Sequence, residues 1–221
     1  MKIARNVVIA AAIAVALIAS VKAASRAVSL PDPEMDDALA ASSSKASLVL
    51  AGGCFWGIEE LYQHVRGVTD AVSGYSGGSA HNANYELVSL GTTGHAESVK
   101  VTYDPSKITY GQLLKIFFAV AHDPTQKGGQ GPDVGTEYRS VIFFADEHQQ
   151  TIAAAYIAQL TAAAAFKRSI TTQVVPLTAF YEAEAYHQNY AVHNPTQPYI
   201  VINDLPKVEA LKKQFPQVYV R

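Results

Sequence analysis

SLVLAGGCFWGIEELYQHVRG runs from Ser47 to Gly67, and its apolar spacing changes partway along. Ser47 to Ala51 is a short apolar run closed by Gly52-Gly53, the mark of a buried strand. From Ile58 the apolar residues recur at Leu61, Tyr62 and Val65, which is the one-face spacing of a helix, and Gly67 ends it. A strand turning into a helix across two glycines places Cys54 at or near a helix N-terminus.

The pattern extends on both sides of the later loops. Val68 to Ser76 reads as a strand that dissolves into Gly77-Gly78. Gly77 to His95 is polar and long for a mere connection. Ser98 to Tyr103 alternates, with Val99, Val101 and Tyr103 on one face. Thr109 and Gln112 form a capping-box pattern, followed by Leu113, Leu114, Phe117, Phe118 and Ala121 on one helical face. A second long loop runs from His122 to Glu137. Ser140 to Phe144 is a strand, and Asp146 with Gln149 caps a helix carrying Ile152, Tyr156, Leu160 and Ala163 inward. Beyond Thr171 the pattern weakens to a short helix around Glu182 to Tyr190 and a proline-marked tail. Strand, helix, strand, strand, helix, strand predicts an α+β fold. More closely, it predicts a ferredoxin-like split βαβ two-layer sandwich, with an extra helix and a wrapping C-terminal tail. The catalytic domain is expected over residues 46–221.

The N-terminal part has a different character. Lys2 and Arg5 precede an apolar run of thirteen residues, Val7 to Ala19, and Val21-Lys22-Ala23 fits a small-residue cleavage site. A spanning helix needs ~20 apolar residues, so residues 1–23 are expected to be a signal peptide and the protein to be exported, to a bacterial periplasm. An uncleaved leader would anchor the domain on the same side of the membrane. Residues 24–45, rich in Ala and Ser with Pro31 and Pro33, read as a flexible tether. Cleavage removes three of the 17 basic residues, leaving 14 against 19 acids and a net charge of −5. That charge argues against nucleic-acid binding.

Exported proteins use cysteine in disulfide pairs, yet Cys54 is the only cysteine in the chain. A thiolate is an anion, and a helix N-terminus favours one, so this placement is expected to lower the thiol pKa. Phe55 and Trp56 cannot both bury in the same core so close to a turn, which leaves one or both to wall a small apolar pocket beside the sulfur or to pack against the tail.

The motifs around this thiol resemble one family. GCFWG (Gly53 to Gly57) is similar to the signature of peptide methionine sulfoxide reductase A. GYSGG (Gly74 to Gly78), NYELV (Asn84 to Val88), TGHAESV (Thr93 to Val99), YDP (Tyr103 to Pro105), HDPTQ (His122 to Gln126), GPDVGTEYRS (Gly131 to Ser140) and AYHQNY (Ala185 to Tyr190) follow in the family's order. The resemblance implies reduction of the S epimer of methionine sulfoxide, free or in proteins. It makes Cys54 the nucleophile, Glu97 the acid that protonates the sulfoxide oxygen, and Tyr85 and Tyr138 the phenols that hydrogen-bond that oxygen. It gives Asp133 a part in shaping the site, and Phe55 and Trp56 the substrate's S-methyl group. It implies no metal and no cofactor. These residue types suit the chemistry. Oxide is a poor leaving group, so donors that act on it in the transition state help most, and a carboxylic acid donates only if burial raises its pKa.

Two features depart from the family's pattern. The tail from Asn194 to Arg221 has no cysteine to resolve a Cys54 sulfenic acid, so an outside reductant is expected: a thioredoxin-like protein, a glutaredoxin-like protein or a small thiol. Glu137 stands where relatives carry glutamine. A monomer is expected, with oxidised proteins or peptides as partners. The competing readings are a cysteine peptidase, which needs a histidine beside the thiol, a non-enzymatic redox sensor, and a metal site at His187 and His193, whose spacing does not place both on one helix face.

Overall fold

The computed structural model describes residues 30–221. The expected signal peptide, and the part of the tether before Leu30, lie outside the described residues. The sheet has six strands in the order β7-β6-β1-β3-β2-β8. They are β1 (Ala46–Ala51), β2 (Val68–Ser76), β3 (Ala96–Tyr103), β6 (Val141–Phe144), β7 (Gln173–Pro176) and β8 (Phe180–Glu182). Every neighbouring pair is antiparallel except β6 with β7, so this is a mixed sheet in an α+β fold. β1 and β2 run the same way with β3 between them, because helix α1 (Phe55–Gln63) carries the chain over the sheet from one to the other.

Alternation along the strands sorts side chains to two faces. Leu48 and Leu50 of β1 and Val99 and Val101 of β3 enter the large core. The same core takes the buried side of α1, of α3 (Tyr110–Ile116), of α4 (Glu147–Ala162) and of α6 (Leu205–Gln214). Val49, Ala51, Ala96, Val141 and Phe143 point the other way, into a smaller cluster joined by Val175, Leu177 and Phe180. The capping box at Thr109 and Gln112 is formed in full, and Asp146 caps α4 by accepting from the Gln149 N–H. Ala163, expected to face inward, is the exposed C-cap of α4.

Three expectations are corrected. Residues 30–45 are held along α3 and α4 rather than free. The Asp36 carboxylate accepts from the Gly111 N–H at 2.8 Å and from the Thr109 hydroxyl, Tyr156 donates to the Pro31 carbonyl at 2.9 Å, and Leu30 is buried in the large core. Acids scattered among alanines look like a linker in sequence; here one of them meets an open N–H at the start of α3. Beyond Thr171 the chain forms the two edge strands β7 and β8. Around 182–190, where one short helix was expected, there are a 3-10 turn at Ala185–His187 and a single helical turn, α5 (Tyr190–His193). Third, the tail contains helix α6, entered through a π-helical turn at Ile200–Asp204. The two long loops also carry structure: α2 (Tyr85–Val88) in the first, and the hairpin of β4 (Gly129–Gln130) and β5 (Asp133–Val134) in the second.

Candidate active site

Cys54 is the N-cap of α1. The turn that delivers it depends on Gly53, at φ +99, where an added Cβ would lie 2.7 Å from the Gln130 side chain. The thiol is buried and makes no cap hydrogen bond to the helix. Its pKa nonetheless lies well above the ordinary thiol value. Burial is the largest cause, Glu97 and Asp204 add to it, and the Trp56 N–H and Lys207 oppose it. The expected lowering is therefore corrected: one helix terminus supplies about half a charge, which does not offset desolvation beside two carboxyl groups.

Glu97 sits in β3 opposite Tyr75 of β2, on the same face as Val99, and is 2% exposed. Its Oε2 accepts the Phe55 N–H at 3.1 Å, which ties the strand to the first turn of α1. Burial pushes its pKa up to about 8, with smaller contributions from Asp133, Glu137 and Asp204, while the Phe55 N–H pulls the other way. At neutral pH Glu97 is therefore a neutral acid, and in that form it no longer adds its charge against the Cys54 thiolate.

The phenols gather on the same acid. Tyr85 opens α2, and its backbone N–H donates to Glu184 Oε1 at 2.9 Å while Tyr75 donates to Glu184 Oε2 at 2.8 Å. Tyr138 ends a 3-10 turn after β5. Both hydroxyls are held in the protonated form, first by burial and then by Glu97. Asp133, in β5, accepts from the hydroxyl of Tyr199, and the Tyr199 pKa is raised by burial, the nearby Cys54 and this bond. Phe55 is 1% exposed and packs against Tyr75 at 5.9 Å between ring centroids. Trp56 is only half-buried; its indole stacks on Tyr190 at 3.8 Å and meets the edge of Tyr199 at 6.1 Å. So Cys54, Glu97, Tyr85, Tyr138 and Asp133 converge, with Trp56 as the partly open aromatic wall and Phe55 beneath it.

Several residues at the site had no role in the sequence reading. Tyr199 carried no local signal. Glu184, His187 and Tyr190 lie in or beside AYHQNY, which showed resemblance but not function; His187 had entered only through the metal reading. The fully buried Asp204 bonds Lys207 at 2.9 Å, and its Oδ2 has no partner among the described residues. The Glu137 carboxylate is buried against Gly91 and Gly135, and its Oε2 is likewise unpartnered.

Asp204 explains Gly57. A Cβ there would lie 2.0 Å from Asp204 Oδ1 and 2.7 Å from Lys207 Nζ. Alanine in place of glycine inside a helix ordinarily stabilises by about 1 kcal/mol, whereas forcing a packed contact costs about 1–3 kcal/mol. Gly57→Ala is therefore expected to lower the thermal midpoint and to weaken activity by shifting the turn that carries Cys54. A raised midpoint would mean that helix propensity wins and that the contact is soft.

The α+β fold thus sets one buried thiol beside a buried carboxyl group whose pKa is raised. The family model for "Peptide methionine sulfoxide reductase" matches residues 46–219, and the chain belongs to this family, in its MsrA branch. It is 55% identical over 185 residues to a peptide methionine sulfoxide reductase MsrA 2 of Mesorhizobium japonicum, covering 84% of this chain and 94% of that one. It is 47% identical to the MsrA 2 of Synechocystis sp., covering 84% and 88%. Among solved structures it resembles reduced Mxr1 from Saccharomyces cerevisiae, with a TM-score of 0.65, 32% identity and coverage of 72% of this chain and 94% of that one. Methionine sulfoxide reductase A of Corynebacterium diphtheriae gives a TM-score of 0.59 and 35% identity, covering 71% and 78%.

Proposed function

We propose that this protein reduces the S epimer of methionine sulfoxide, free or in proteins, to methionine through a sulfenic acid on Cys54, and that an external thiol restores the enzyme. The observation that carries the reading is Glu97: a buried carboxylic acid with a pKa near 8, tied by hydrogen bond to the turn that presents the only thiol. In the reductase step the Cys54 thiolate attacks the sulfoxide sulfur while Glu97 supplies a proton to its oxygen; the oxygen then passes to Cys54 Sγ as the transient sulfur–sulfur bond and the sulfur–oxygen bond of the sulfoxide break. Glu97 stabilises and protonates that oxygen as charge gathers on it, with Tyr85 and Tyr138 as further donors. The thiol's proton returns to the acid. Cys54 sulfur is oxidised by two electrons, the substrate sulfur is reduced by two, and methionine leaves. The positive end of the sulfoxide dipole sits at sulfur and favours the thiolate once substrate is bound, which offsets the desolvation felt by the free enzyme.

A first outside thiol then attacks the sulfenic sulfur, forming a mixed disulfide and water. A second thiol displaces Cys54. The reductant is an exported thioredoxin-like or glutaredoxin-like protein, or a small thiol. The strand order β6-β1-β3-β2 supports the ferredoxin-like split βαβ reading of the sheet. Export through the leader at 1–23 to a periplasm and a monomeric state complete the proposal. A cysteine peptidase would need an imidazole at the thiol, whereas the groups felt most by Cys54 are Glu97, Asp204, the Trp56 N–H and Lys207.

The test is turnover of a peptide bearing each epimer, with dithiothreitol as reductant, on the chain from Ala24. Reduction of the S epimer alone is the expected result. No turnover of either epimer by folded protein with an intact thiol would sink the reading and favour a redox sensor. Activity restored only by a small thiol, and by no exported thiol protein, would remove the protein reductant.

A further inference from the structure

We propose that His187 is a positioning residue for substrate binding, which it serves by fixing the orientation of the Trp56 indole. This rests on the reading of Trp56 as the substrate-facing wall.

The indole Nε1–H is a donor only, and it points at His187 Nδ1 at 3.1 Å. His187 Nδ1 must therefore be an acceptor, which places the proton of the neutral ring on Nε2. That Nε2–H is buried and has no hydrogen-bond partner among the described residues. Its ring lies among Phe55, Tyr85 and Tyr186, at 5.0, 4.5 and 4.2 Å between centroids. A buried donor left without an acceptor is destabilising, and in an aromatic cluster a phenyl ring would avoid the cost. What phenylalanine could not supply is the acceptor at Nδ1. Burial also disfavours the imidazolium, with Glu184 opposing, so the ring keeps its acceptor.

The stacking contact of Trp56 leaves this freedom open. The stack on Tyr190 holds the plane of the indole, at 13° between rings, but permits rotation and sliding within it. A hydrogen bond to one edge sets the in-plane orientation. The histidine is anchored independently of the tryptophan: its backbone N–H donates to the Glu184 carbonyl, and the chain just after it is pinned where the Asn189 N–H meets Glu59 Oε1 and Oε2 at 3.1 Å. At 1% exposure His187 acts through Trp56 rather than on substrate.

Trp56 is the only tryptophan in the chain, so tryptophan emission reports the surroundings of this one indole. The variants are H187F, a ring without an acceptor; H187N, whose Oδ1 falls near Nδ1; and H187Q, whose amide reaches toward Nε2. In H187F, emission without substrate should move to longer wavelength and iodide quenching should rise. KM for the S-sulfoxide peptide should rise about fivefold with kcat changed less than about twofold, the pattern of lost binding. H187N should return emission and KM most of the way to wild type. H187F matching wild type in both readouts, or folded H187N matching H187F, would overturn the proposal. If H187F does not fold, the comparison is H187N with H187Q: a displaced indole only in H187Q supports the proposal, and identical behaviour overturns it. Because emission is read without substrate, its outcome is distinct from failure of the reductase reading, which the wild-type epimer assay reports.

Discussion

Cys54→Ser should abolish sulfoxide reduction to the uncatalysed background while leaving the protein folded. Serine presents an alkoxide precursor far less acidic than a thiol, and its oxygen cannot accept the substrate's oxygen as sulfur does, because an O–O bond would have to form. The fold has no reason to suffer. Cys54 is an N-cap whose side chain makes no cap hydrogen bond, and serine is among the preferred N-cap residues, worth about 1 kcal/mol over a residue that cannot cap. The thermal midpoint should therefore be equal or higher. Two measurements check this: methionine released per enzyme in a single turnover without reductant, which should fall from about one to zero on the logic of one sulfenic acid per thiol, and a melting curve. Residual thiol-dependent turnover in the folded variant would require a second redox group, and no other cysteine exists to supply it.

Glu97→Gln is expected to slow the reductase step by roughly 10²–10³-fold while leaving substrate affinity nearly intact. The amide oxygen can accept the Phe55 N–H as Glu97 Oε2 does at 3.1 Å, so the turn stays in place and an N–H donor remains at the other amide atom. What is lost is the transferable proton. General acid catalysis contributes about 10²–10⁴-fold, and the retained donor argues for the lower part of that range. The pH profile carries an independent signature. Glu97 must be protonated to donate, and its pKa lies near 8 because burial penalises the carboxylate. The single-turnover rate of the wild type should therefore fall as pH rises through about 8, and that limb should be missing in Glu97→Gln. A carboxylate with an ordinary pKa would already be ionised at pH 7 and would show no such limb. An unchanged rate, or a limb that persists in the variant, would move the acid role to another group, with Asp204 as the buried carboxyl whose pKa is also raised.

The legible parts of this protein were those encoded by neighbours in the chain. The strand before the double glycine, the alternation from Ser98 to Tyr103 and the capping box at Thr109 appear where they were expected, because period and cap are local signals; the helix after the glycines forms but stops at Gln63, short of Gly67, where Val65 instead bridges to Tyr219. They suffice to put Cys54 at the start of α1. Cys54, Glu97, Tyr85, Tyr138 and Asp133 lie together in the fold, and ordered motifs rather than spacing alone had singled them out.

The tertiary structure decided the rest. β7 and β8 are short edge strands whose pattern has meaning only beside β6 and β2. The segment 30–45 resembles a linker until Asp36 meets the start of α3. Tyr199, His187 and Asp204 lie 145, 133 and 150 residues along the chain from Cys54, and no local pattern ties them to it. The sign of the thiol's pKa shift belongs with them. From sequence the helix N-terminus was the only visible influence, and it favours the thiolate. In the fold, burial and the carboxyl groups of Glu97 and Asp204 outweigh it. A helix terminus is a property of a few consecutive residues, whereas desolvation is a sum over every segment packed around the sulfur.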